Sequence, residues 1–235
     1  MRYPKFLHNL VMKISILTLF PEMFSGPFDY SIVKKSKEKN LITINFVNIR
    51  DFGKGRHKVV DDKPYGGGHG MILKVDVLEE AINSAKDKNL DKKSQRIILL
   101  SPHGKTFNQK KALELATIKH LILICGHYEG VDERVKNFID EELSIGDFIV
   151  TGGEIPAMLV TDAVIRLVDG VLKEGVTSAE SFTHLLEYPQ YTKPNTYKNL
   201  SVPIVLLSGD HGKIRSWRNK LSLNITAKLR PDLLG

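Results

Sequence analysis

Three segments set glycine and other small residues beside polar ones, each next to a run of β-branched or aliphatic residues. They are Leu100 to Gly104, Gly126 to Gly130, and Ser144 to Asp147 continued by Gly152 to Glu154. If these runs are parallel strands, their C-terminal ends gather along one edge of a sheet. Glycines there let backbone N–H and C=O groups approach a flat ligand closely. The chemistry this suits is the holding of a small organic cofactor. Taken singly, each loop is equally well a plain turn; the three together favour a pocket. Two phosphate-binding motifs fail on spacing. Gly104-Lys105-Thr106 ends like a nucleotide phosphate loop, but such a loop needs glycine where Leu99 stands. Gly66-Gly67-Gly68-His69-Gly70 lacks the spacing of a dinucleotide fingerprint and no clear strand leads into it, which argues against a dehydrogenase.

Groups suited to proton and charge chemistry lie elsewhere. Arg166 falls in an apolar stretch with Asp162 and Asp169 one turn to either side, which alone reads as an intrahelical ion pair. Glu180 alone reads as a solvated loop carboxylate. Arg50-Asp51-Phe52, Arg56-His57-Lys58 and Asp61 to Gly68 form a long, weakly periodic stretch in which basic residues flank Tyr65 and several glycines. Long loops of this kind are functional or disordered, and this composition suits a nucleic-acid substrate.

These residues need elements to position them. Strand-like runs occur at Ile14 to Phe20, Leu41 to Ile49, Arg96 to Leu100, Leu121 to Cys125 and Phe148 to Thr151. Helical periodicity is expected over Val75 to Lys86, Asn108 to Thr117 and Glu154 to Asp169; in the last, Asp162, Arg166 and Asp169 form one polar stripe. Alternation of strand and helix predicts an α/β fold with a largely parallel sheet. The pattern lapses after Gly170. The expected organisation is a domain over residues 1–170, a flexible linker over 171–184 and a small, mainly helical domain over 185–235. That last segment holds eight basic residues against three acidic, +5 of the whole chain's +7. A charge of this sign attracts a polyanion, most simply nucleic acid.

The chain has 235 residues, 42% of them hydrophobic, and so is expected to fold around a sizeable core. No run is long enough to cross a bilayer, so no membrane role is expected. The single cysteine, Cys125, rules out an intrachain disulfide and a multi-thiolate zinc site, which fits a cytoplasmic location. Residues 1–11 precede a second methionine, Met12, and read as an extension without a structural role.

Several longer motifs closely resemble the bacterial tRNA (guanine-N1)-methyltransferase family. They include Phe20-Pro21-Glu22-Met23-Phe24, Pro64-Tyr65-Gly66-Gly67-Gly68, Cys125 to Arg134, Ser144 to Phe148, Gly152 to Met158, Tyr188 to Pro194 and Gly209-Asp210-His211. The likeness runs in the family's order from about Met12 to the C-terminus. It implies a knotted methyltransferase of the SPOUT type, with a deep trefoil knot late in the first domain, working as a homodimer. It further implies methyl transfer from S-adenosyl-L-methionine to N1 of guanosine 37 of tRNA, with no role for DNA. Magnesium is associated with the family's activity, but no carboxylate spacing identifies a metal site.

By the same resemblance the cofactor-binding positions are Leu100, Ser101, Pro102, Gly126, Tyr128, Glu129, Ile145, Gly146, Asp147, Phe148, Ile149, Val150, Gly152, Gly153 and Pro156. The family's arginine falls on Arg166. Its catalytic aspartate, just before a Ser-Phe pair, is replaced here by Glu180, and its usual proline in the glycine-rich loop by His69. Asp51, Arg56, His57 and Tyr65, with Lys213, Arg215 and Arg218 around Trp217, are the expected RNA contacts. Two other readings stay open: a non-catalytic RNA-binding relative, suggested by Glu180, and a knotted methyltransferase acting on another RNA.

Overall fold

The computed structural model describes residues 11–177 and 180–234. The reading of residues 1–11 as an extension therefore lies, except for Val11, outside the described residues. In chain order the elements are β1 (Met12–Thr18), α1 (Ser31–Glu38), β2 (Ile42–Asn48), β3 (Asp61–Asp62), β4 (Ile72–Leu73), α2 (Val75–Ala85) and β5 (Gln95–Thr106). There follow α3 (Gln109–Leu115), β6 (His120–Cys125), β7 (Glu141–Ser144), α4 (Glu154–Ile165), β8 (Thr196–Tyr197), β9 (Leu200–Ser201), α5 (Ile204–Leu207) and α6 (His211–Leu229). The chain divides into two compact units, one ending at Leu172 and the other beginning at Lys173.

The first unit is built on a sheet of order β2-β1-β6-β5-β7 in which every neighbouring pair is parallel. A parallel sheet is covered on both faces, so its central strands are apolar almost throughout. On one face Ile14, Ile16, Leu121, Leu123 and Ile98 belong to a core with Ala112 and Leu115 of α3 and Val160 and Val164 of α4. On the other, Leu17, Ile122, Ile124 and Leu99 join Val77, Leu78, Ala81 and Ile82 of α2. The period-two alternation of the strands sorts these residues between the faces.

Two sequence expectations are corrected. Phe148 to Thr151 is not a strand; the fifth strand is the earlier Glu141–Ser144 at the sheet edge. The apolar run after it is exposed, Phe148 by 57% and Ile149 by 80%, and Gly146, at φ +141°, turns the chain out of the strand direction. The expected helix to Asp169 ends at Ile165. Arg166 is its C-cap, donating its N–H to the Asp162 carbonyl at 3.3 Å. The next N–H groups bond three residues back, Leu167 to Val164 and Val168 to Ile165, and Gly170 follows at φ +80°. Asp169 therefore stands beyond the helix.

In the second unit, residues 182–187 are tied to α6. The Leu186 N–H donates to Thr226 Oγ1 at 2.9 Å, Ser222 Oγ donates to the Leu186 carbonyl, and the Arg230 guanidinium lies over the Phe182 ring at 5.5 Å. β8 and β9 form a hairpin whose turn residues, Lys198 and Asn199, both have positive φ, the geometry that matches strand twist.

A buried histidine joins the two central strands. Ser15 Oγ and His120 Nε2 share a hydrogen bond of 2.9 Å, and both residues are buried. Burial, aided by Lys13 and opposed by Asp87, holds the imidazole down to about 4 from its ordinary 6.5. The native state thus keeps His120 neutral while the unfolded chain protonates it below about pH 6.5. Its share of stability is whole above that pH and is lost as pH falls towards 4, by about 3 kcal/mol. Urea unfolding between pH 7 and 4.5 should show a steeper loss in the wild type than in His120→Gln. Parallel curves would remove His120 from the acid response.

Candidate active site

The C-terminal ends of β6, β5 and β7 are adjacent, with Leu100 opposite Cys125 on one side and Leu143 on the other. Leu143 also pairs with Lys105, so Ser101 to Gly104 loop out before β5 rejoins its neighbour. A Cβ on Gly104 would lie 2.3 Å from the Leu143 nitrogen, so glycine is needed for that return. Across the edge, a Cβ on Gly126 would lie 3.6 Å from the Leu100 oxygen, so these two backbones face one another with no side chain between them. The third loop is joined to the second directly. Gly153 N–H donates to the Gly126 carbonyl at 2.8 Å, and a Cβ on Gly153 would come within 2.5 Å of the Cys125 Cα. Within this loop Ser144 Oγ accepts the Gly146 N–H at 3.2 Å, and the Phe148 ring folds over Gly146.

The three loops thus bring most of the expected cofactor positions to one edge. Leu100, Gly153 and Pro156 are buried; Ser101, Gly126, Ile145, Gly146 and Gly152 are half-buried. Pro102, Tyr128, Glu129, Asp147, Phe148, Ile149 and Val150 are exposed. Tyr128 holds φ +59°, and its N–H donates to His127 Nδ1 at 3.0 Å.

A clasp beneath the edge was not legible in the sequence. Glu154, buried at the first turn of α4, accepts the Thr18 hydroxyl at 2.8 Å, and Thr18 Oγ1 accepts the Phe20 N–H at 2.9 Å. Phe20 in turn packs against His127 with ring centroids 5.1 Å apart. The end of β1 is thereby fixed to both the second and third loops. The only signal was a glutamate directly after two glycines, which spacing alone does not interpret. Cys125 is buried and its thiol is pushed well up by burial and by Glu154, so it offers no thiolate nucleophile.

The glycine-rich segment is tied to the same edge. Glu129 N–H donates to the Met71 carbonyl, Leu73 N–H to Gly130 and Asp132 N–H back to Leu73, each at 3.0 Å. A Cβ on Gly70 would strike the Glu129 side chain at 2.5 Å. From this base Tyr65 projects into solvent, 100% exposed. Arg56 and His57 are exposed too, and Asp51 accepts Lys58 Nζ at 3.1 Å.

The sequence pattern described as tRNA (Guanine-1)-methyltransferase TrmD matches residues 12–235. The proteins named tRNA (guanine-N(1)-)-methyltransferase from Carboxydothermus hydrogenoformans, Syntrophomonas wolfei and Dictyoglomus turgidum are 57%, 55% and 54% identical to it. Each alignment covers 95% of this chain, and 87%, 90% and 90% of the relative. The chain belongs to this tRNA (guanine-1)-methyltransferase family.

For this family member the remaining expected positions are divided between the two units. Arg166, half-buried, ends α4 in the first unit. Glu180, half-buried, lies in the second, where its carbonyl accepts the Thr183 N–H at 3.3 Å. On α6, Asp210 caps the helix by accepting the Lys213 N–H at 3.0 Å, and its other oxygen lies 3.3 Å from Lys213 Nζ. Arg215 is exposed, and the Arg218 guanidinium lies 4.7 Å from the centre of the Tyr188 ring. Among the described residues, no group of three His, Cys, Asp or Glu side chains is placed to hold a metal ion, so magnesium is assigned no site. Among them, too, no helix is long and apolar enough to cross a membrane.

Proposed function

We propose that this enzyme transfers a methyl group from S-adenosyl-L-methionine to N1 of guanosine 37 of tRNA, beside the anticodon. The observation that carries the reading is the meeting of three backbone-lined loops, the second and third bonded at Gly126 and Gly153 and the first facing Gly126 through Leu100, in a chain matching the family from residue 12 to 235. The donor set fits the cofactor. The facing backbones of Leu100 and Gly126 suit the edge of an adenine, and the exposed carboxylates of Glu129 and Asp147 suit an ammonium group. The tight backbone passage of Gly153 against Cys125 and Gly126 supports a knotted chain at this point.

When bound, the cofactor supplies an electrophilic methyl group on a sulfonium. Guanine N1 is a poor nucleophile until its proton leaves. Glu180 would accept that proton, leaving N1 free to take the methyl group that the bound cofactor would supply. Negative charge moves to guanine O6, and the Arg166 guanidinium stabilises it where water is excluded. Glu180, one methylene longer than the family's aspartate, keeps the carboxylate that this step needs. His69 receives no role.

The enzyme acts as a homodimer in this proposal. The support is α4, whose Ile155 and Leu159 are 50% and 45% exposed while Val160 and Val164 are buried on the sheet side. Phe148 and Ile149 extend the uncovered apolar surface. A tRNA substrate and a single buried cysteine fit a cytoplasmic location.

Mass spectrometry of tRNA incubated with labelled cofactor tests the function: labelled 1-methylguanosine at position 37 is expected. Label on another base, on ribose or on no nucleoside would overturn it. The pocket has its own test. Gly126→Ala should leave the thermal midpoint nearly unchanged but weaken cofactor binding, because its Cβ fits the fold and enters the pocket. Gly153→Ala should destabilise the fold by about 2 kcal/mol, since its Cβ meets backbone. Unaltered cofactor affinity in Gly126→Ala would displace the pocket.

A further inference from the structure

The second unit holds two cavities that methyl transfer does not use. The smaller, about 240 Å³, is lined by Tyr188, His211, Ile214, Arg215, Arg218 and Asn219. The larger, about 370 Å³, lies between residues 188–195, residues 202–207 and α6. Tyr188, Ile214 and Arg218 line both. With its guanidinium over the Tyr188 ring at 4.7 Å, Arg218 makes a stacked partition with a cavity on either side.

The two sides differ in chemistry. The smaller presents two guanidiniums, an imidazole and an amide, and no carboxylate. The larger is mostly aromatic and aliphatic, with Tyr188, Tyr191, Val202, Leu206 and Leu207, and adds the amides of Gln190 and Asn195 and the ammonium of Lys193. An anion suits the first; a flat heterocycle with a polar edge suits the second. Arg218 Nε is buried with no hydrogen-bond partner among the described residues, a donor set for an acceptor that the chain itself does not supply. Lys213, on the same helix, lines neither cavity and lies against Asp210.

We propose that the Tyr188–Arg218 partition is a nucleotide subsite for the RNA substrate. One phosphodiester sits against Arg215 and Arg218 in the smaller cavity, and an unstacked base of the same nucleotide enters the larger beside Tyr191. This rests on the proposed RNA substrate and narrows it: the basic helix grips the RNA at a built site, not by a diffuse positive face.

The test is binding of the full-length protein to a fluorescein-labelled anticodon stem-loop RNA, by anisotropy across a salt series. Arg218→Lys keeps the charge but loses the planar stack, so it should weaken binding about tenfold with the salt slope retained. Tyr188→Leu should weaken it similarly, and Tyr188→Phe, which keeps the ring, should restore it. Arg215→Ala should lower the slope of log affinity against log salt by about one, the signature of one lost phosphate contact. Arg215 is exposed, so this variant reads out even where Tyr188→Leu unfolds the unit. Unaltered affinity in Arg218→Lys, or an unaltered slope in Arg215→Ala, overturns the subsite. Wild-type methyl transfer to full-length tRNA is assayed in parallel. A wild type that transfers no methyl while the variants bind as expected sinks the function and leaves the subsite standing.

Discussion

Replacing Glu180 by glutamine should lower single-turnover methyl transfer by about a hundredfold or more while cofactor and tRNA binding stay nearly intact. Glutamine keeps the size and hydrogen-bonding shape of the side chain and removes only its basicity, and a positioned base is worth about that factor. The carboxylates near Arg166 in sequence are Glu154, Asp162, Asp169, Glu174 and Glu180, of which Glu154 is buried and accepts the Thr18 hydroxyl. Asp162 is exposed on the last turn of α4, where its carbonyl accepts the Arg166 N–H. Asp169 lies beyond the helix end and is exposed, and Glu174 lacks the Ser-Phe context that Glu180 has. Glu180→Asp should therefore keep substantial activity, and Asp169→Asn should cost far less than Glu180→Gln. Loss of transfer in Asp169→Asn with a mild Glu180→Gln would move the base out of the linker.

What the sequence disclosed, and what it hid, follow from the range of the interactions. The β1, β5 and β6 runs are legible because strands buried on both faces must be apolar almost throughout, β2 because its edge strand still carries β-branched residues, and α2 because its one buried face repeats at the helical period. Phe148 to Thr151 misleads for the same reason: it is an apolar run whose residues face outward in the single chain, so composition resembles a buried strand where there is a loop. The end of α4 at Ile165 is set by the tightened bonds of its last turn and by Gly170, which the periodicity of apolar residues does not register. At the site, the glycines were visible because backbone crowding at Gly104 and Gly153 leaves a local trace. The Thr18–Glu154 clasp and the Tyr188–Arg218 stack join residues far apart or on different elements, and no local pattern encodes either.

Mixing two inactive full-length chains, Arg166→Ala and Glu180→Gln, should restore up to about a quarter of wild-type turnover. Arg166 belongs to the unit that ends at Leu172 and Glu180 to the unit that begins at Lys173, and the exposed apolar residues of α4 suit a second copy of the chain. In a two-fold dimer whose sites combine Arg166 of one protomer with Glu180 of its partner, a mixed dimer holds one wholly wild-type site and one doubly defective site. Random assembly makes about half the dimers mixed, with one working site of two in each. A site formed within one chain gives a different result, because every site in every mixed dimer then keeps one defect. Turnover is measured after joint refolding or co-expression of the two chains, with each single variant as its own control. If no ratio of the two chains regains activity while mixed dimers are detected by native mass spectrometry, the shared site is wrong and each protomer works alone.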